Sequence, residues 1–156
     1  MKKKSILTIL ICSIVVCCVY ATVVNNHTSD TVLATKTEIN FIEQDWAKTQ
    51  QMAKAGNKLI FVDLYATWCG PCKMLKKNTF TNKEVADYFN TTFINASIDV
   101  EKGVGITLAE QYNVSMLPTL IVATADGKPV LFTTGYLDAK ELMKFAKAAV
   151  EKNNKK

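Results

Sequence analysis

Lys58-Leu59-Ile60-Phe61-Val62-Asp63-Leu64-Tyr65-Ala66-Thr67-Trp68-Cys69-Gly70-Pro71-Cys72-Lys73 carries an apolar run directly into two cysteines separated by Gly-Pro. An apolar run of this length, broken by one acid, predicts a strand over Leu59–Ala66 buried on both faces. The cysteines then open a helix. Free backbone N–H groups and the positive end of the dipole at a helix start favour a thiolate there. Pro71 suits the first turn, where a missing N–H costs nothing. The two-residue spacing puts Cys72 one turn further in, within reach of a disulfide. Cys69 is expected to be the exposed nucleophile that attacks a substrate disulfide, and Cys72 the group that resolves the mixed disulfide.

Two other uses of such a pair fit less well. A zinc site needs four ligands. Beyond the pair and three N-terminal cysteines, the sequence offers only His27, in a polar stretch. A structural staple closing so short a loop removes little unfolded-state entropy. No metal is expected, and no cofactor, because the cysteines carry the electrons themselves.

The N-terminal stretch bears on the redox compartment. Lys2-Lys3-Lys4 precedes an apolar run from Ile6 to Val19, then Val19-Tyr20-Ala21. This is the layout of a secretory signal, with cleavage expected after Ala21. Extended to Val24, the run is long enough to remain as an uncleaved anchor. Lipidation at Cys17 or Cys18 is a third option. Contact with a membrane is expected only if this segment is retained. Of five cysteines, Cys12, Cys17 and Cys18 lie in it, which leaves Cys69 and Cys72 to the folded domain. An exported domain with a single close pair is not a multiply stapled scaffold. The expected organisation is a signal at 1–21, a linker at 22–38, one domain at 39–152 and a basic tail at 153–156.

The chain of 156 residues, 49% hydrophobic, suffices for one domain. All its basic residues are lysines, and net charge is +5. Removing the three signal lysines leaves 16 basic against 14 acidic residues, or +2. That balance gives no reason to expect nucleic acid as a partner.

Further along, Phe41, Ile42, Trp46, Ala47, Met52 and Ala53 predict a helix from about 41 to 55 with Gly56 at its C-terminal cap. The helix opened by the cysteines runs from Cys69 to Phe89 with a break near 79–82. A second apolar strand covers Thr92–Val100, and a short helix Ile106–Tyr112. Strands at Thr119–Thr124 and Val130–Thr134 flank Asp126-Gly127, a hairpin signal. A last helix runs from Asp138 to Glu151 with Asp138 as its N-cap. A helix between two apolar strands calls for a parallel crossover, and the hairpin adds an antiparallel edge. The expected class is α/β, a mixed sheet with helices on both faces.

From Phe41 to Lys152 the sequence resembles the thioredoxin family. Trp68-Cys69-Gly70-Pro71-Cys72-Lys73 looks like the family's active-site motif. Asp63 stands where the family places a buried acid that exchanges a proton with the resolving cysteine. Met116-Leu117-Pro118-Thr119 looks like the cis-proline loop, and Asp126-Gly127-Lys128 and Gly135 match late glycine positions. The helix at 41–55 and Thr79-Phe80-Thr81-Asn82-Lys83-Glu84-Val85 are similar to exported domains related to the C-terminal domain of the membrane thiol-disulfide transporter.

The resemblance implies a thioredoxin fold and Asp63 as the proton-transfer group. It also implies a substrate surface of Trp68, Gly70, Pro71, Leu117, cis Pro118 and Gly135. An acid in an apolar strand should have a raised pKa. The resemblance further implies exchange with disulfide-containing exported proteins in the periplasm, fed by a membrane thiol-disulfide transporter as electron donor. Reduction is the expected direction. Oxidase or isomerase action on the same fold, or a non-catalytic binding module, are the alternatives. Asn95 falls where many thioredoxins place a lysine near the acid, so Asp63 is expected to protonate more readily.

Overall fold

The computed structural model describes residues 38–155. The expected signal, residues 22–37 of the expected linker and His27 lie outside the described residues.

The strands are β1 (Phe41–Glu43), β2 (Leu59–Tyr65), β3 (Phe93–Asp99), β4 (Thr119–Ala123) and β5 (Pro129–Thr134). The helices are α1 (Trp46–Gly56), α2 (Gly70–Met74), α3 (Lys83–Thr92), α4 (Val104–Gln111) and α5 (Ala139–Asn154). A π-helical turn, Leu75–Thr79, continues α2.

One sheet of order β1-β3-β2-β4-β5 contains all five strands. β1 and β2 run parallel to β3, β4 runs antiparallel to β2, and β5 antiparallel to β4. The parallel crossover and the hairpin are both present, and the fold is the expected α/β mixed sheet with helices on both faces. β2 lies at its centre with five of seven residues buried. Its alternation divides two apolar clusters. Phe61 joins Leu75, Phe80, Phe89 and Leu142 on one face. Ile60, Val62 and Leu64 join Ala53 and Leu108 on the other. Phe61 anchors the first cluster, with its ring 4.7 Å from that of Phe89 in an edge-to-face pair.

Several boundaries differ from expectation. Residues 41–43 form an edge strand, where the sequence predicted the start of a helix. Gln44 turns through φ 56°, and Asp45 then caps α1 by accepting the Lys48 N–H at 2.9 Å. Asp45, with no apolar side chain to pack, is what ends the strand and opens the helix. The helix closes on Asn57 at φ 48°, whose N–H reaches the Ala53 and Lys54 carbonyls, one residue beyond the predicted Gly56. Asn tolerates the left-handed region well enough to serve as that cap.

The helix opened by the cysteines passes into the π turn at Leu75, and the expected break near 79–82 is where that turn ends and α3 starts afresh at Asn82. Its side chain accepts from the Glu84 and Val85 N–H groups. At α5, Asp138 accepts from the Glu141 N–H at 2.8 Å, and Glu141 accepts from the Asp138 N–H at 2.9 Å, a reciprocal cap. This helix continues through Asn154, taking in residues that the sequence assigned to the tail. In the hairpin, Gly127 sits at φ 82° and its carbonyl accepts from the Tyr112 hydroxyl at 2.8 Å.

Candidate active site

β2 delivers the chain to the sheet end where α2 begins. Cys69 is the N-cap of α2, with Pro71 in its first turn. Cys69 and Cys72 are joined as a disulfide, S–S 2.00 Å and Cα–Cα 5.3 Å. The Cys72 N–H donates to Cys69 Sγ at 3.2 Å. In the reduced protein that N–H and the helix dipole act on the same sulfur and favour its thiolate. Cys72 carries no such exposure to the helix start, so the pair is asymmetric.

Cys69 was expected to be exposed, but in this disulfide form only 3% of it is open. It is reached through a shallow groove of about 320 Å³ between Trp68, Gly70 and Pro71 on one side and Val114 to Leu117 on the other. Trp68 is 66% exposed, so it is not a core residue. Its Nε1–H donates to Glu101 Oε1 at 2.9 Å, which fixes the indole beside the groove. Glu101 lies just after β3 and carries no sequence signal of its own; it was missed. Met116, 58% exposed on the opposite wall, was read only as the first residue of the cis-proline loop.

The Leu117–Pro118 peptide is cis. The Pro118 carbonyl accepts from the Gly135 N–H at 2.8 Å, and the Met116 carbonyl from Thr119 Oγ1 at 2.6 Å. Pro118 itself is buried. The Leu117 backbone N–H and C=O take no hydrogen-bond partner among the described residues. Gly135 sits at φ 85° with open space where a Cβ would be. Its glycine answers to backbone conformation, and its amide braces Pro118 rather than facing the groove.

Asp63 is 1% exposed and lies between Phe61 and Tyr65, on the face of β2 where Phe61 joins the cluster that holds Leu75 of the π turn. Burial pushes its carboxyl up to about 7 from an ordinary 3.8. The Lys76 ammonium and a 3.4 Å hydrogen bond from Ser97 Oγ to Oδ2 hold it partly down, and Glu43 pushes it up. Oδ1 has no hydrogen-bond partner. A buried group that changes charge near neutrality is suited to exchanging a proton.

Asn95 is buried on the same sheet face, but its amide donates to Asn40 O, Asn90 Oδ1 and Phe89 O. It therefore serves β1 and α3. The cation near Asp63 is Lys76, which the sequence reading did not single out. Its signal was present: Lys76 follows Cys72 by four residues, on the same helix face. Among the described residues no cluster of three or more His, Cys, Asp or Glu side chains is placed to hold a metal, and no helix is long and apolar enough to cross a membrane.

A Cys-Gly-Pro-Cys pair at a helix start, a buried acid in the strand that leads to it and a groove beside it define a thiol-disulfide oxidoreductase of the thioredoxin fold. The thioredoxin-like domain family pattern matches residues 46–149, and the chain belongs to that family.

The chain is 33% identical over 114 residues to the thiol:disulfide interchange protein DsbD of Citrobacter koseri, covering 70% of this chain and 20% of that protein. It thus spans about a fifth of the length of the curated relatives it matches. Among solved structures it resembles a candidate disulphide-isomerase from Bacteroides thetaiotaomicron: TM-score 0.66, 43% identity, 73% of this chain and 94% of that one. A thioredoxin from Thermus thermophilus shares the fold at TM-score 0.63 and 20% identity, over 73% of this chain and 91% of that one.

Proposed function

We propose that the protein reduces disulfides of exported proteins, or relays electrons between them, outside the cytoplasm. The observation that carries this reading is Gly70-Pro71 between the cysteines at the start of α2, with Asp63 buried behind. Thioredoxin, which has the same dipeptide, lies near about −270 mV, against about −120 mV for a dedicated oxidase.

The Cys69 thiolate attacks one sulfur of a substrate disulfide, whose other sulfur leaves as a thiolate and takes up a proton. A mixed disulfide to Cys69 remains. Asp63 accepts the Cys72 proton, and the Cys72 thiolate attacks Cys69 Sγ. The substrate departs as a dithiol, and the two electrons it gained leave Cys69–Cys72 as the disulfide seen here. Trp68, Gly70, Pro71 and the Leu117–Pro118 loop hold the substrate strand, with Gly135 bracing the loop.

Residues 1–21 take the domain to the periplasm as a cleaved signal or an anchor. A membrane thiol-disulfide transporter restores the dithiol, a role supported by the similarity to DsbD. The test is the redox state of Cys69 and Cys72 in cells, by acid quenching, thiol alkylation and gel shift. A mostly reduced pair is expected; a pair that stays oxidised while the donor is active refutes the reductase direction. The likeness to the Bacteroides structure favours isomerase action as a second reading. That reading requires the purified domain to reactivate scrambled ribonuclease.

A further inference from the structure

The π turn after α2 carries a lysine to the face of β2 on which the buried acid lies. Leu75 to Thr79 widens by one residue, and the Phe80 N–H reaches back to the Leu75 carbonyl at 2.9 Å. Such turns recur at functional sites. Here the turn carries Lys76, half-buried, with Nζ 3.5 Å from the centre of the Tyr65 ring. Tyr65 is two residues beyond Asp63 on the same strand and face. The contact places a cation against that face, with the ring itself favouring the charge. Lys76 also borders a cavity of about 250 Å³ that Glu43 and Phe41 help to line, so its ammonium keeps contact with solvent.

The groups facing Asp63 come from each neighbouring element. From β3, Ser97 offers a hydroxyl to Oδ2; from β1, Glu43 adds a like charge. On β4 the residue opposite is Leu120, with no charge. From the π turn comes Lys76. Asn95 is turned away, and Asp63 Oδ1 is buried without a partner. Among the described residues, Lys76 is the cation that acts on this carboxylate.

We infer that Lys76 is the positioning cation that keeps the buried Asp63 able to give up and regain its proton in the working range of pH. The inference rests on the reading of Asp63 as the proton-exchange group. Lysine suits the position because its stem can lie along Tyr65 while its head stays wet. Its charge offsets part of the cost of burying the carboxylate. Without it, Asp63 would hold its proton to higher pH, and Cys72 would lose its base near neutrality.

The test is a carbon-13 NMR titration of the Asp63 carboxyl in the full-length disulfide form, in which neither Cys69 nor Cys72 titrates. The variants are Lys76→Met, Lys76→Arg and Lys77→Met. A nearby opposite charge displaces such a midpoint by about one pH unit or more. Lys76→Met is expected to move it upward by that amount, Lys76→Arg to leave it near the wild type, and Lys77→Met to leave it unchanged. Lys76→Gln replaces the methionine variant if the latter does not fold. An unmoved midpoint in Lys76→Met overturns the inference, as does an equal rise in Lys76→Arg.

The rate of the resolving step is measured in parallel at pH 7. With the midpoint moved from about 7 to about 8, the carboxylate fraction falls about fivefold, and the rate should fall with it and recover by pH 9. A moved midpoint with an unchanged rate supports Lys76 as the tuning cation and refutes Asp63 as the base. The two ideas therefore fail separately.

Discussion

Replacing Asp63 with Asn should make the protein more stable as pH rises. Asp63 is fully enclosed and one oxygen lacks a partner, so its carboxyl titrates near 7 in the fold, against 3.8 as its ordinary value. Below pH 3.8 the group is protonated folded or unfolded, and contributes no pH-dependent difference. Between 3.8 and 7 the unfolded chain loses the proton while the folded protein keeps it. The folded state then binds more protons, so stability falls as pH rises through this window. The separation corresponds to about 4 kcal/mol of destabilisation, fully present above pH 7.

Asn cannot ionise. The stability of Asp63→Asn relative to wild type should therefore rise by about 4 kcal/mol between pH 4 and pH 8. Urea unfolding of both proteins in the disulfide form at the two pH values measures this. Only the difference between pH values matters, which removes changes in hydrogen bonding from Asn and titration of groups common to both chains. A rise of less than about 1 kcal/mol would mean that the native carboxyl titrates near its ordinary value, and would refute the argument from burial.

Other expectations follow from the same geometry. Cys72→Ser should accumulate a mixed disulfide through Cys69, visible on non-reducing gels, and Cys69→Ser should reduce insulin only at the uncatalysed rate. Glu101→Ala frees the exposed Trp68 indole, which must then be re-ordered when a substrate binds, so KM for a protein disulfide should rise up to about fivefold with kcat unchanged. Gly105→Ala would set a Cβ 1.9 Å from the Asp99 carbonyl oxygen, a backbone atom, and should cost about 3 kcal/mol or more in urea unfolding. Gly70→Ala meets nothing within 4 Å and should change stability by less than about 0.5 kcal/mol.

The central strand and the cysteine pair were legible because their signals are local. Seven largely apolar residues in a row admit few placements other than the middle of a sheet, and β2 is there. The cap of α5 was readable for the same reason, through Asp138, whereas Asn82 was read only as the end of a break and not as the cap of α3. β1 was not legible, because Phe41-Ile42-Glu43 is too short to show a period of two. Its strand state comes from pairing with Asn95, Ala96 and Ser97, more than fifty residues away.

The site divides in the same way. Cys69, Pro71 and Asp63 follow from spacing and from an acid among apolar neighbours. Glu101 acts through a contact across the fold, with Trp68, that no local pattern announces, and the spacing of Lys76 from Cys72 does not reveal its contact with Tyr65. Asn95, read from its family position as the place of a missing charge, acts on β1 and α3 through bonds to Asn40, Asn90 and Phe89 that no local pattern showed.

The most direct test of the account is the reduction potential of the Cys69–Cys72 pair, measured by equilibrating the purified domain with dithiothreitol or glutathione buffers. The account predicts a value near the thioredoxin end of the scale, about −270 mV. A value near about −120 mV would contradict it and make the protein an oxidant of its partners.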